Sequence, residues 1–234
     1  MTNTRTAGEW NRRNRYLIHL KKLLKQLYLI EDKSSSDYKV LNAEIKGYLD
    51  AGLITRIASE KDLQKFIQQR SAHVTQTTLY GYLKTRIGVK FTAMVEDDVF
   101  SKSINIAKWN IYMTAIADCS LYVFSYLIAE KNLKENDCKE IYLDIIENEK
   151  ENGLTDEIYQ RAKQEFLNRY DKINFNKYYL ENPFKESCLA LYNWAPIADE
   201  LKTLDKEIVL NSMRLKWNLK IEEFKKLTEN LRFN

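Results

Sequence analysis

The chain has 234 residues, of which only 6 are Gly and 2 are Pro, roughly 3.4% together against about 12% in ordinary chains. That scarcity excludes β-sandwiches, barrels and Gly-looped nucleotide-binding α/β folds, which need positive-φ turns and close backbone approaches at many places. The net charge is +4, yet residues 1–90 carry 17 Lys/Arg against 8 Asp/Glu, and residues 91–180 carry 11 against 16. The two parts are therefore expected to attract each other in the fold, or the first to steer an acidic partner. At 44% hydrophobic and 30% charged residues, the composition is that of a globular chain rather than a disordered one.

In chain order, residues 1–30 read as a basic amphipathic first helix, helical from about Thr6. Its apolar stripe is Trp10, Leu17, Leu20, Leu24 and Leu27, and Arg12, Arg15, Lys22 and Lys25 lie on the other face. Ser34–Ser36 opens a second helix over about 37–50, ended by Gly52. Ser59, with Asp62 three residues on, starts a third helix over about 60–70. It continues into, or breaks before, the segment His73 to Ile87, which Gly88 closes. A connection over 89–98 ends in Glu96-Asp97-Asp98, and a central helix spans about 99–131. From Ile106 to Ala129 its apolar residues occupy every side, so it is expected to be buried all round. Further helices are expected over about 134–151, ended by Gly153, and over about 156–170, capped by Thr155. Residues 171–182 read as a loop. Pro183 starts a short helix to about Tyr192, and Pro196 opens a long C-terminal helix over 196–231. The stripe of that last helix is Leu210, Met213, Trp217, Ile221, Phe224, Leu227 and Leu231. The fold class is all-α: one domain over 1–234, a bundle of seven to nine helices around the 99–131 helix.

The stretch Ile111 to Ala129 is long enough to cross a bilayer, but Asp118 sits near its centre. A charged Asp there costs about 2.5–3.5 kcal/mol on the insertion scale. A buried helix of a soluble bundle accounts for the same string, so no transmembrane segment is expected. The three cysteines, Cys119, Cys138 and Cys188, have no C-x-x-C spacing. With no apolar leader, they point to a reducing, cytoplasmic setting.

Most chemical motifs are absent. No pair of glycines forms a phosphate loop, and there is no G-x-S-x-G elbow. The two histidines, His19 and His73, belong to no metal motif, and neither a metal nor a cofactor is expected. Glu96-Asp97-Asp98 reads as a helix cap favoured by the dipole; the alternative is a Mg²⁺ site needing a second carboxylate set.

The segment Arg70 to Arg86 is less ordinary. Arg70, His73, Thr77 and Tyr80 share one helix face, and Gly81 in mid-helix suggests a close helix crossing or a ligand. On the central helix, Asn105, Lys108 and Asp118 are polar positions in or beside an apolar run. A buried Asp118 needs a charge partner, with Arg70, Arg86 and Lys108 as candidates. Pairing with the 70–86 helix would create a polar inter-helix pocket lined by His73, Tyr80 and Tyr82; a buried ion pair fixing helix register is the alternative.

The stretch Thr75 to Tyr126 (TQTTLYGYLKTRIG, then EDDVF, then SINIAKWNIYMTAIADCSLYVFSY) resembles a family of uncharacterised bacterial all-helical proteins, some labelled esterase. The resemblance covers about a quarter of the chain and implies a helical fold; it transfers no catalytic residue.

Three functional classes follow. The first is a helical binding protein, with a small anionic ligand in the pocket, or a protein partner or a second copy as its associate. It predicts an exposed apolar patch along the last helix. The second is a hydrolase-type enzyme with His73 as general acid/base, Arg70 or Arg86 holding an anion and Asp118 orienting a neighbour. The third is a peripheral membrane or nucleic-acid binder using Arg12, Arg15, Lys22 and Lys25.

Overall fold

In a computed structural model, the structure describes residues 57–135 and 138–231, with 35–42 and a few positions between 26 and 33. The chain divides into two compact units, Met1–Gly52 and Leu53–Asn234, where the sequence predicts one domain. In the first unit a helix covers 36–42, and the Ser35 hydroxyl accepts from the Tyr38 N–H at its start (3.2 Å). The predicted basic first helix, with Arg12, Arg15, Lys22 and Lys25, lies outside the described residues.

Among its described residues the second unit is an all-α bundle of seven α-helices: α1 (Glu60–Ile87), α2 (Phe91–Glu96), α3 (Asp98–Lys131), α4 (Cys138–Asn148), α5 (Asp156–Tyr170), α6 (Lys185–Trp194) and α7 (Asp199–Leu227). Central α3 packs against α1, α2, α4, α5 and α6, while α7 lies on α1 and α6. α3 contains the one stretch among the described residues that is long and apolar enough to cross a bilayer, and 83% of that stretch is buried inside the bundle.

The helix ends follow local chemistry. At α1 the Asp62 N–H donates to Ser59 Oγ (3.2 Å), and the Asp62 carboxylate accepts from the Ser59 hydroxyl and from the Ala58 N–H. That reciprocal arrangement relieves the unpaired amides of the first turn. Asp97 caps α3 by accepting from the Phe100 N–H (2.8 Å), so the middle residue of the acidic triplet is the cap. Asn132 ends α3 in the left-handed region with φ 60°, and Thr155 caps α5.

α1 does not break at 70–73: Arg70, Ser71, Val74 and Thr75 are all buried there, and packing holds the helix through the polar run. Several boundaries differ from expectation: the predicted connection over 89–98 contains α2, and α7 ends at Leu227 rather than at 231. α4 is shorter than 134–151: it gives way to a turn over 149–153 that closes at Gly153, φ 98°. α6 begins at Lys185 rather than at Pro183, and α7 at Asp199 rather than at Pro196. Ala195 has ψ 129°, the extended conformation that a following proline imposes. Pro196 therefore sits in the turn between α6 and α7.

Gly81 is the clearest departure. It lies exposed within α1, and a Cβ added there would meet nothing within 4 Å. No close helix crossing requires it. Gly81→Ala is therefore expected to stabilise the protein by about 0.5–1 kcal/mol, through helix propensity and a less disordered unfolded chain. A lower unfolding midpoint in urea would contradict this.

Candidate functional site

The polar face of α1 turns toward α7, and the two helices run antiparallel. At one end the fully buried Arg70 donates from Nε (3.0 Å) and Nη2 (2.6 Å) to Glu223 Oε1, and Lys220 Nζ donates to Glu223 Oε2 (3.1 Å). At the other end the Tyr82 hydroxyl donates to Asp205 (2.9 Å), and Arg86 pairs with the same carboxylate. Between them Thr77 Oγ1 donates back to the His73 carbonyl (2.8 Å), and Tyr80 meets the ring of Phe91 edge-on. Arg70, Tyr82 and Arg86 thus form one side of a polar seam with α7, whereas the Thr77 hydroxyl bonds within α1 and Tyr80 packs on α2.

His73 lies in this seam. Burial pushes its pKa down to about 3, and the charges of Lys220, Lys216 and Arg70 act in the same direction. It is neutral at pH 7. The folded pKa lies below the ordinary value near 6.5, so below pH 6.5 the unfolded chain takes up a proton that the folded chain refuses. Stability is unaffected above that pH and falls as pH drops through 6.5 toward 3. His73→Gln is expected to lose about 1–2 kcal/mol less than the wild type between pH 7 and pH 5, as read from denaturation curves at each pH. Parallel pH profiles would contradict this.

Asp118 is the second centre. It is fully buried, and its partners are none of those predicted. Oδ1 accepts from Arg169 Nη2, and Oδ2 accepts from the Ser187 N–H (2.7 Å). Ser187 lies in the first turn of α6, whose N-cap residue Phe184 offers no side-chain cap. Asp118 therefore caps α6 from a different helix, with its charge at the favourable end of the dipole. Burial raises its pKa, while Arg169 and the Ser187 N–H pull it back; two donors on one carboxyl are the geometry of a carboxylate. Arg169 also donates to Tyr178 Oη (3.0 Å), which donates to the Pro183 carbonyl (3.0 Å). Ser187 Oγ donates to the Phe184 carbonyl (3.1 Å) and accepts from Trp217 Nε1 (3.1 Å).

The remaining predicted residues lie elsewhere. Lys108 sits over the Trp109 ring, 4.9 Å from its centre, and burial lowers its pKa against the opposing charge of Glu149. Asn105 is exposed. The nine predicted pocket residues therefore do not converge. Arg70, His73, Tyr82 and Arg86 belong to the α1–α7 seam, Asp118 to the α3–α5–α6 junction, and Lys108 to a third environment. Arg70, Arg86 and Asp118 are each paired where they stand, with Glu223, Asp205 and Arg169. Two open grooves, of about 850 and 560 Å³, are lined by other residues; the smaller includes Arg169, Glu165, Glu186 and Trp194.

The residues that sequence reasoning missed are Arg169, Ser187, Glu223 and Asp205. The first lies 51 positions from its partner Asp118, and Glu223 lies 153 from Arg70, beyond the reach of any local spacing rule. Burial pushes the Cys119 and Cys188 thiols up to about 12, which makes them poor nucleophiles. Among the described residues no group of three His, Cys, Asp or Glu side chains is arranged to hold a metal ion. No protein family, curated protein or solved structure matches the chain.

The surface holds the other unusual feature. α7 is apolar on two opposite sides. Met213, Trp217 and Phe224 are buried, with Leu210, Ile221 and Leu227 packed at the rim of the core, as the predicted stripe requires, and Leu231 packs there from beyond the helix end. On the far side Leu201 (40%), Leu204 (77%), Ile208 (70%), Leu215 (65%) and Leu219 (65%) are exposed. At 3.6 residues per turn these five fall within about 60° of the helix circumference.

Proposed function

We propose that the protein is a helical interaction protein that docks an amphipathic helix of another protein chain on the outer face of α7. The observation that carries this reading is the row of five exposed aliphatic residues on one side of α7, Leu201, Leu204 and Ile208 and then, past Asn211, Leu215 and Leu219. Scattered exposed leucines are ordinary, whereas a contiguous apolar patch marks an interaction surface. The polar groups support the same reading from the other side: Arg70, Arg86 and Asp118 are engaged in internal ion pairs, as befits a scaffold. A reducing, cytoplasmic setting goes with it, since the three thiols are buried and form no disulfide.

The test is a thiol placed on the face. Leu215→Cys in the full chain is expected to react with a maleimide, in nanomolar protein, within a few-fold of the unfolded-chain rate. Protection of a hundred-fold or more that does not change on dilution would mean that the face is covered by its own chain, and the reading would fall.

A further inference from the structure

We infer that the occupant of this face is a second copy of the same chain, its α7 running antiparallel to the first. The inference rests on the interaction reading above and adds the identity and direction of the partner.

The spacing is that of a two-helix seam. Leu201, Leu204, Ile208, Asn211, Leu215 and Asn218 alternate steps of three and four, the a and d positions of a heptad. Antiparallel pairing about a two-fold axis between Ile208 and Asn211 sets Leu204 against the partner's Leu215. Ile208 then meets the partner's Asn211, and Leu201 the partner's Asn218. Every contact occurs twice, as an isologous interface demands. Asn residues within such a seam cost stability, and Asn211 accepts from Arg214 Nη1 of its own chain (2.9 Å).

Charge chooses the direction. One flank of the stripe carries Glu200, Glu207 and Arg214, all exposed. The other turns toward α1, where Asp205 and Glu223 are engaged by Arg86 and Arg70. Antiparallel pairing joins the two open flanks and places Glu207 beside the partner's Arg214, twice over. Parallel pairing would place Glu207 near the partner's Ser212 and Arg214 near the partner's Leu219, forming neither ion pair. Because the complementary charges lie on one strip of one helix, the surface is complementary to itself.

The experiment uses two single-cysteine additions to the full chain, Leu204→Cys and Leu215→Cys; the native thiols are buried. The variants carry tags of different mass and are mixed at tens of micromolar under mild oxidation. The mixed disulfide, which joins position 204 of one variant to position 215 of the other, is expected to exceed either symmetric product at least ten-fold. Sedimentation of the wild type is expected to give twice the 27.8 kDa chain mass. Glu207→Arg should weaken the dimer at least ten-fold, and Glu207→Arg with Arg214→Glu should restore it. A monomer at 100 μM with a freely reactive thiol in the Leu215→Cys variant overturns the second copy while leaving the face open for another partner. Symmetric disulfides in excess overturn the antiparallel direction. Protection that persists on dilution removes the interaction reading itself.

Discussion

Replacing Asp118 with Ala is expected to lower the unfolding free energy by about 3–5 kcal/mol, the range found when one partner of a buried ion pair is removed. The side chain does two jobs at full burial. It balances Arg169, which retains some contact with water, and it accepts from the Ser187 N–H inside the bundle. Alanine leaves a guanidinium without its carboxylate and a buried amide without an acceptor. Asp118→Asn keeps an oxygen for the Ser187 N–H and nearly the same volume, and loses only the charge, so its loss should be smaller. Urea unfolding followed by far-UV circular dichroism checks both, and a loss below about 1 kcal/mol for the alanine variant would dismiss the cap and the pair together.

Trp217→Ala should cost a similar amount, about 3–5 kcal/mol. The indole is fully buried. It lies over the Phe184 ring at 4.2 Å between centroids and 15° between planes. Its Nε1–H ends on Ser187 Oγ (3.1 Å), so it joins α7 to the start of α6. Removing it opens a cavity that the surrounding rings fill only in part. Trp217→Phe retains most of the stack and loses the hydrogen bond, a change of about 1–2 kcal/mol. Asp118 and Trp217 both act on Ser187, so the double alanine variant should lose less than the two single losses together. Strict additivity would show that the shared serine couples nothing.

The helices were legible because their boundaries are written locally. Ser59, Asp97 and Thr155 sit in cap positions with the residues they need, and Gly88 and Gly153 take the positive φ that ends a helix or closes a turn. The core stripe of α7 was readable for the same reason, as periodicity on one helix. The partners of Asp118 and Arg70 were not, since each is fixed by how helices far apart in sequence come to lie together. The sequence indicated that a buried carboxylate needed a cation; only packing selected Arg169 over Arg70, Arg86 and Lys108. Gly81 misled for the opposite reason: a mid-helix glycine suggests close contact, and the space beside this one is empty. The outer leucines of α7 are equally periodic in the sequence, but a helix with two apolar stripes reads as one until the core claims its side.

The cap that α3 lends to α6 has a consequence for the order of assembly. A ten-residue helix is too short to persist alone in water, and α6 lacks a capping side chain of its own. Its first turn is completed across 69 positions of chain, so it becomes favourable only once α3 and α5 have docked. α6 is then a late piece of the folding pathway, added to a framework already standing. The 183–198 segment inherits that dependence: its order is on loan from a carboxylate on another helix, and whatever loosens Asp118 frees it first.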